Sequence, residues 1–305
     1  MEFSSFTTLV REEVEKRAGE KYTVRINDVR KNNGVVLSGL TLMQEDSNIS
    51  PTIYLNNYYE AYEDGRTTLT HVVNDVMDNY NRNKVNRSVD MRQFPNYESV
   101  KEGIVYKLVN TAQNKELLED VPHVEFLDLS IVFQYLIERE RFGVASILIH
   151  NAHMKLWDVS VEELYKVACA NTQRLQKYEI QSMQDVIGEL LEFDDTEEID
   201  YGGTILEQSG NVQMYVLSNK SRVGGAACIL YEGLLQDFAT AIDGNFYVIP
   251  SSIHEVLLLP SDNTDDQEEI KAMIREINDT QVRTEEILSY SLYFFDQEEG
   301  CLIKL

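Results

Sequence analysis

Apolar positions along this chain follow two rhythms, one near 3.6 residues and one of two. Phe6, Leu9, Val10 and Val14 share one face of a helix whose other face carries Arg11, Glu12, Glu15 and Lys16. Residues 22–27 then alternate, Asn33-Gly34 offers the positive φ angles of a tight turn, and 35–43 return as a partner strand. Residues 51–55 form a third strand, with Pro51 suited to an edge or a strand start. Leu69, Val72, Val73, Val76, Met77 and Tyr80 give the clearest helix of the chain. Residues 104–109 predict a strand, and Leu127, Leu129, Ile131, Phe133 and Tyr135 alternate with Asp128, Ser130 and Gln134 in the next. That strand turns at 138–141 and pairs with 143–149. Ser160 and Glu163 make a capping box for a helix carrying Leu164, Val167 and Ala168, and a further helix presents Met183, Val186, Ile187, Leu190 and Leu191.

The last third predicts strands at 213–217 and 226–231, a helix burying Leu234, Leu235, Phe238, Ala239 and Ile242, and strands at 246–249 and 255–259. A helix with Ile270, Met273, Ile274 and Ile277 follows, then short strands at 289–295 and 301–304. Hairpins interleaved with helices, instead of strict β-α-β alternation, predict an α+β fold of mostly antiparallel sheets. Its C-terminal part begins β-β-α-β-β-α.

Charge sharpens this picture. The 305 residues hold 27 Lys and Arg against 52 Asp and Glu, a net −25. Residues 1–150 carry 17 basic and 23 acidic side chains, and 151–305 carry 10 and 29. Glu192, Asp194, Asp195, Glu197, Glu198 and Asp200 crowd together before Gly202-Gly203, which predicts an acidic linker or loop at 193–211. It would divide an N-terminal α+β part, 1–192, from a C-terminal one, 212–305. Such a negative chain repels phosphate backbones and anionic lipid, so direct nucleic-acid binding and membrane docking are not expected. No apolar run approaches the ~20 residues of a membrane span. The opening residues lack the basic and apolar regions of a secretory signal, and Cys169, Cys228 and Cys301 are too few and scattered for a disulfide framework. A cytoplasmic protein is expected.

The common phosphate-binding glycine loops, the nucleophile elbow, the zinc helix and paired Cys-x-x-Cys motifs are all absent, so no cofactor is implied. Two candidate sites remain. His150 and His153, at i and i+3 on a short helix, offer a pair of metal ligands that Asp158 would complete, or else they bond nearby backbone. The loop 250–255 brings Ser252, His254 and Glu255 between two apolar strands, either as nucleophile and base or as groups satisfying the loop backbone. Tyr54, Tyr58, Tyr59 and Tyr62 flank Glu60 and Glu63, a pattern for binding a cation or for packing, and Cys228 sits mid-strand as a small hydrophobe.

Lys31-Asn32-Asn33-Gly34, Ile49-Ser50-Pro51-Thr52-Ile53-Tyr54-Leu55, Val121-Pro122-His123 and Phe126-Leu127-Asp128-Leu129 together resemble a known family, domain of unknown function 5688. The resemblance continues through Ile149-His150-Asn151 with Trp157, Met214-Tyr215-Val216-Leu217-Ser218-Asn219, the segment 226–231 and Pro250-Ser251-Ser252-Ile253-His254-Glu255. It spans nearly the whole chain, with nothing to match over 194–211. It implies a bacterial, cytoplasmic setting and brings no activity to any residue. The leading expectation is therefore a non-enzymatic binding protein that meets a basic protein partner through an acidic surface or an inter-domain groove. A metal-assisted hydrolase is the alternative, using His150 and His153 with His254 or Glu255 as base. A third is an acidic inhibitor that mimics DNA.

Overall fold

The computed structural model describes residues 1–45, 47–84, 92, 94–140, 143–193, 213–250, 252–263 and 266–305. The fold is α+β, and the strand pairings whose registers are described are antiparallel. The chain forms two compact units, Met1–Phe94 with Glu140–Gly143, and Pro95–Arg139 with Val144–Leu305.

The first unit runs α1 (Phe3–Ala18), β1 (Tyr22–Arg30), β2 (Val36–Gln44), β3 (Thr52–Tyr54), α2 (Asn56–Glu63) and α3 (Leu69–Asn83). The β1–β2 hairpin closes from Tyr22↔Gln44 to Arg30↔Val36, and Asn33 and Gly34 take φ angles of 59° and 70° in its turn. That is the left-handed region which an Asn-Gly pair enters at least cost. Phe6, Val10 and Val14 of α1 pack with Val72, Val73 and Val76 of α3 and with Leu40, Leu42 and Ile53 of the sheet. Tyr59 and Tyr62 join this core, each ring 5.3 Å from that of Phe6.

The second unit begins with α4 (Tyr97–Val100), β4 (Ile104–Asn110), α5 (Lys115–Asp120), β5 (His123–Phe126), β6 (Leu129–Glu140) and β7 (Gly143–Leu148). α6 (Asn151–Trp157), α7 (Val161–Leu175), β8 (Tyr178–Ser182) and α8 (Met183–Phe193) follow. Then come β9 (Tyr215–Asn219), α9 (Leu234–Ile242), β10 (Phe246–Ile249), β11 (Glu255–Pro260), α10 (Gln267–Thr280), β12 (Tyr293–Asp296) and β13 (Cys301–Lys304). One sheet has the order β4-β6-β5, with β7 also on β6; the other is β13-β12-β10-β11-β9-β8. On the six-stranded sheet, Ile270 and Ile274 of α10 pack on Tyr247, Ile249, Leu259 and Leu292. From the alternate positions, Phe246 meets Phe238 of α9 with ring centroids 4.9 Å apart.

Two expectations are revised. Residues 226–231 are not a second strand: a 3-10 turn, Gly225–Leu230, stands there. Gly224 turns the chain at φ 66°, and a Cβ on Gly225 would lie 2.4 Å from the His254 carbonyl oxygen and 2.6 Å from the Asn219 nitrogen. The backbone is therefore packed too closely to run as an extended strand, and a short apolar run cannot disclose that. The units also divide near residue 94. The linker expected at 193–211 lies, beyond Phe193, outside the described residues, and β8 before it pairs with β9 after it from Tyr178↔Asn219 to Ser182↔Tyr215. A sheet ladder thus joins segments that the expected division would separate.

Candidate functional site

The first candidate site forms where β7 ends and α6 starts. His150 is the N-cap of α6, and its backbone N–H donates to His153 Nδ1 at 3.0 Å. A neutral imidazole has one lone pair, so this bond places the His153 proton on Nε2 and leaves no free nitrogen for a metal. Burial, reinforced by the nearby His150, holds the His153 pKa below the usual histidine range against an opposing pull from Asp120. His150 Nδ1 lies 2.7 Å from Asp120 Oδ2 at the end of α5. The His150 side chain also accepts the His153 backbone N–H, so its ring stands between a carboxylate and a backbone donor, on a side chain 38% exposed.

Asp120 therefore fills the place expected of Asp158, which sits instead at the opposite end of α6 as a left-handed C-cap. Rings continue from this pair in a ladder: His150 to His153 at 5.6 Å, His153 to Trp157 at 5.7 Å, and Trp157 to Tyr97 at 5.9 Å. β5 and the end of β7 meet the same stretch of β6, since His123 pairs with Val132 while the Ile149 N–H donates to the Phe133 carbonyl. His123 itself bonds the Val121 carbonyl through Nδ1 at 3.1 Å. Among the described residues, no three His, Cys, Asp or Glu side chains are grouped to hold a metal ion.

The second candidate is the loop before β11; Ser251 lies outside the described residues. Ser252 is buried, and its Oγ accepts the His254 backbone N–H at 3.0 Å, so hydroxyl and imidazole are joined through backbone. His254 Nδ1 accepts the Gly224 N–H at 3.2 Å, and its Nε2 faces Glu286 Oε1 at 3.8 Å. The His254 carbonyl accepts from Ser218 Oγ at 2.7 Å, and the Ile253 N–H donates to the Glu286 carbonyl at 2.8 Å. Glu255 opens β11 opposite Ser218. With Nδ1 occupied, the neutral His254 ring carries its proton on Nε2, which suits a clamp on the glycine turn better than a general base.

Elsewhere, Tyr54 lies under the Lys31 ammonium, 4.2 Å from the ring centroid. Cys169, Cys228 and Cys301 are unpaired, and burial pushes the Cys228 thiol up to about 12. The acidic residues 194–200 lie outside the described residues. Two polar centres escaped the sequence reading. One is the Asp120 carboxylate on His150. The other is Asp128, which accepts hydrogen bonds from Ser289, Ser291 and Tyr293 at 2.7, 2.9 and 2.6 Å. Neither has a local motif, because each partner comes from a distant segment.

No helix among the described residues is long and apolar enough to cross a membrane. A family model described as a family of unknown function (DUF5688) matches residues 3–297. No curated protein matches the chain, and neither does any solved structure.

Proposed function

The chain belongs to the DUF5688 family of unknown function, and from that premise we propose a binding protein that engages a basic partner through the acidic surface of its second unit. The observation that carries this reading is the segregation of charge. The second unit holds 37 acidic against 14 basic side chains, net −23, while the first holds 15 against 13. Even if every cation there paired one to one, carboxylates would remain in large excess. Cations that pair within the unit include Lys101 with Glu98; Arg174 with Glu102 and Lys271 with Glu268 at 3.1 Å; and Arg222 with Glu189 at 3.2 Å. Glu268, Glu269, Glu276 and Asp279 stand exposed on α10. A one-signed surface of this kind attracts opposite charge, speeds encounter and suppresses like-charged partners. Three unpaired thiols fit a reducing cytoplasm.

Titration of the full chain with polylysine, at low salt and at about 1 M, tests this reading; in the latter the screening length falls to about 3 Å. Affinity is expected to fall steeply with salt. Absence of binding at low salt, or binding indifferent to ionic strength, would overturn it.

One observation favours a hydrolase, though with His150 as base in place of His254 or Glu255 and without a metal: the half-exposed His150 imidazole lies 2.7 Å from the Asp120 carboxylate, the pairing that orients a general base. Its test is turnover of a panel of aryl esters and phosphate esters, with loss in His150→Ala. No turnover across the panel would remove it.

A further inference from the structure

β13 is the outermost strand of the six-stranded sheet and, among the described residues, is paired on one side only, to β12. The rows of side chains that reach it begin in the core. Tyr247, Phe294 and Ile303 stand side by side on the face that α10 covers. Tyr247 is 4% exposed, Phe294 is half-buried and Ile303 is 44% exposed. The neighbouring row behaves alike: Leu292 is fully buried, whereas Leu305, whose N–H donates to the Leu292 carbonyl at 2.9 Å, is 36% exposed. On the opposite face, Phe246 and Phe295 stack at 5.1 Å, and Leu302 beyond them is only half-buried. Cover thus thins strand by strand toward β13 on both faces.

An open edge beside exposed apolar side chains is a template for another strand, and folded proteins ordinarily guard such edges with charge. β13 carries Lys304 alone, on the row of Tyr293. The turn leading into it displays Glu298 and Glu299, whose backbone N–H groups are tied to Asp296 Oδ1 at 2.9 and 3.0 Å. Carboxylates at the end of an apolar edge, on a unit of net −23, select a basic occupant. A second copy of the chain would bring the same excess of negative charge.

We propose that β13 is a docking edge, to which an extended basic segment of the partner adds as a further strand. Its apolar side chains continue the rows ending at Ile303 and Leu305, and its cations face Glu298 and Glu299. This rests on the basic-partner reading above and specifies where and how that partner binds.

The probes are a short peptide alternating Lys with Val, and a control alternating Lys with Ser at the same length and charge. The full chain is compared with Ile303→Asn/Leu305→Asn, whose exposed positions spare the core and whose fold is checked by its thermal melt. The Lys-Val peptide is expected to bind roughly tenfold more tightly than the control, a preference the double variant loses. Backbone hydrogen exchange is expected to slow along β13 when that peptide is bound. Equal binding of both peptides, a preference that survives the double variant, or unchanged exchange along β13 would overturn the docking edge while leaving the basic-partner reading standing. Failure of both peptides to bind at low salt would overturn both.

Discussion

The Tyr293 hydroxyl donates to Asp128 Oδ1 at 2.6 Å, tying residues 165 positions apart in the sequence. Ser289 and Ser291 donate to the other carboxylate oxygen, so three hydroxyls surround one half-buried charge. Burial alone would raise the Asp128 pKa, but these bonds outweigh it and hold the carboxyl below the ordinary aspartate range. A carboxyl depressed on folding stabilises the native state above its unfolded pKa of ~3.9, and that contribution is lost as pH falls through the folded value. Asp128→Asn is expected to cost about 2 kcal/mol at neutral pH, a drop in melting temperature of roughly 4–8 °C. Melts from pH 7 to pH 3 check both parts, and the gap between parent and variant should narrow toward the acid end. A variant that melts with the parent throughout contradicts this account.

Gly224 and Gly225 give opposite reasons for being glycine. Gly224 has open space around a prospective Cβ but a φ of 66°, so Gly224→Ala is expected to cost only about 1 kcal/mol. Gly225 would press a Cβ onto the His254 carbonyl and the Asn219 nitrogen, both backbone, and Gly225→Ala should cost about 3 kcal/mol. Urea denaturation of the two variants ranks them; the reverse order would mean the turn relaxes where the geometry says it is pinned.

His153 acts here as a helix cap. Its Nδ1 satisfies the His150 N–H, so His153→Ala should lower stability by about 1 kcal/mol. Because the folded pKa is depressed, the neutral ring favours the native state above ~6.5, and this contribution fades as pH falls through the folded value. Thermal melts between pH 8 and pH 5 should show a steeper acid loss in the parent than in the variant. The same experiment with added Zn²⁺ should leave the parent unmoved, and a shift abolished by His150→Ala would restore the metal reading.

Thiol reactivity should follow burial. Cys301 is exposed on β13, whereas Cys228 is buried with its thiol raised to about 12, so few thiolates exist there at neutral pH. Alkylation followed by peptide mass spectrometry is expected to modify Cys301 in the native protein and Cys228 only after unfolding. Early modification of Cys228 would show that the 3-10 turn opens readily.

α3 was legible because Val72, Val73, Val76 and Tyr80 repeat at helical spacing over about two and a half turns, and the β1–β2 hairpin because Asn33-Gly34 sits between alternating runs. Residues 226–231 misled because Ala226, Ala227 and Cys228 are apolar without a period, so burial resembled a strand. β8 is hard to read because Tyr178 and Ile180 alone alternate with polar residues, too short a run to stand out directly after a long helix. The histidine pair was found by its spacing, but Asp120 lies 30 residues away and reaches it only through the common edge that β5 and β7 share on β6. Spacing reports one element at a time, whereas such sites are assembled by strand register.

The pairing of β8 with β9 also ties these two segments together by a sheet ladder as well as by the chain between them. Five residue pairs hold the two segments side by side, and β9 is locked in turn to β11. A peptide bond cut anywhere in 194–212 should therefore leave two fragments that stay bound. The same two pieces, produced separately, should find each other and reassemble, which makes the interval a natural place to split the protein into a complementing pair.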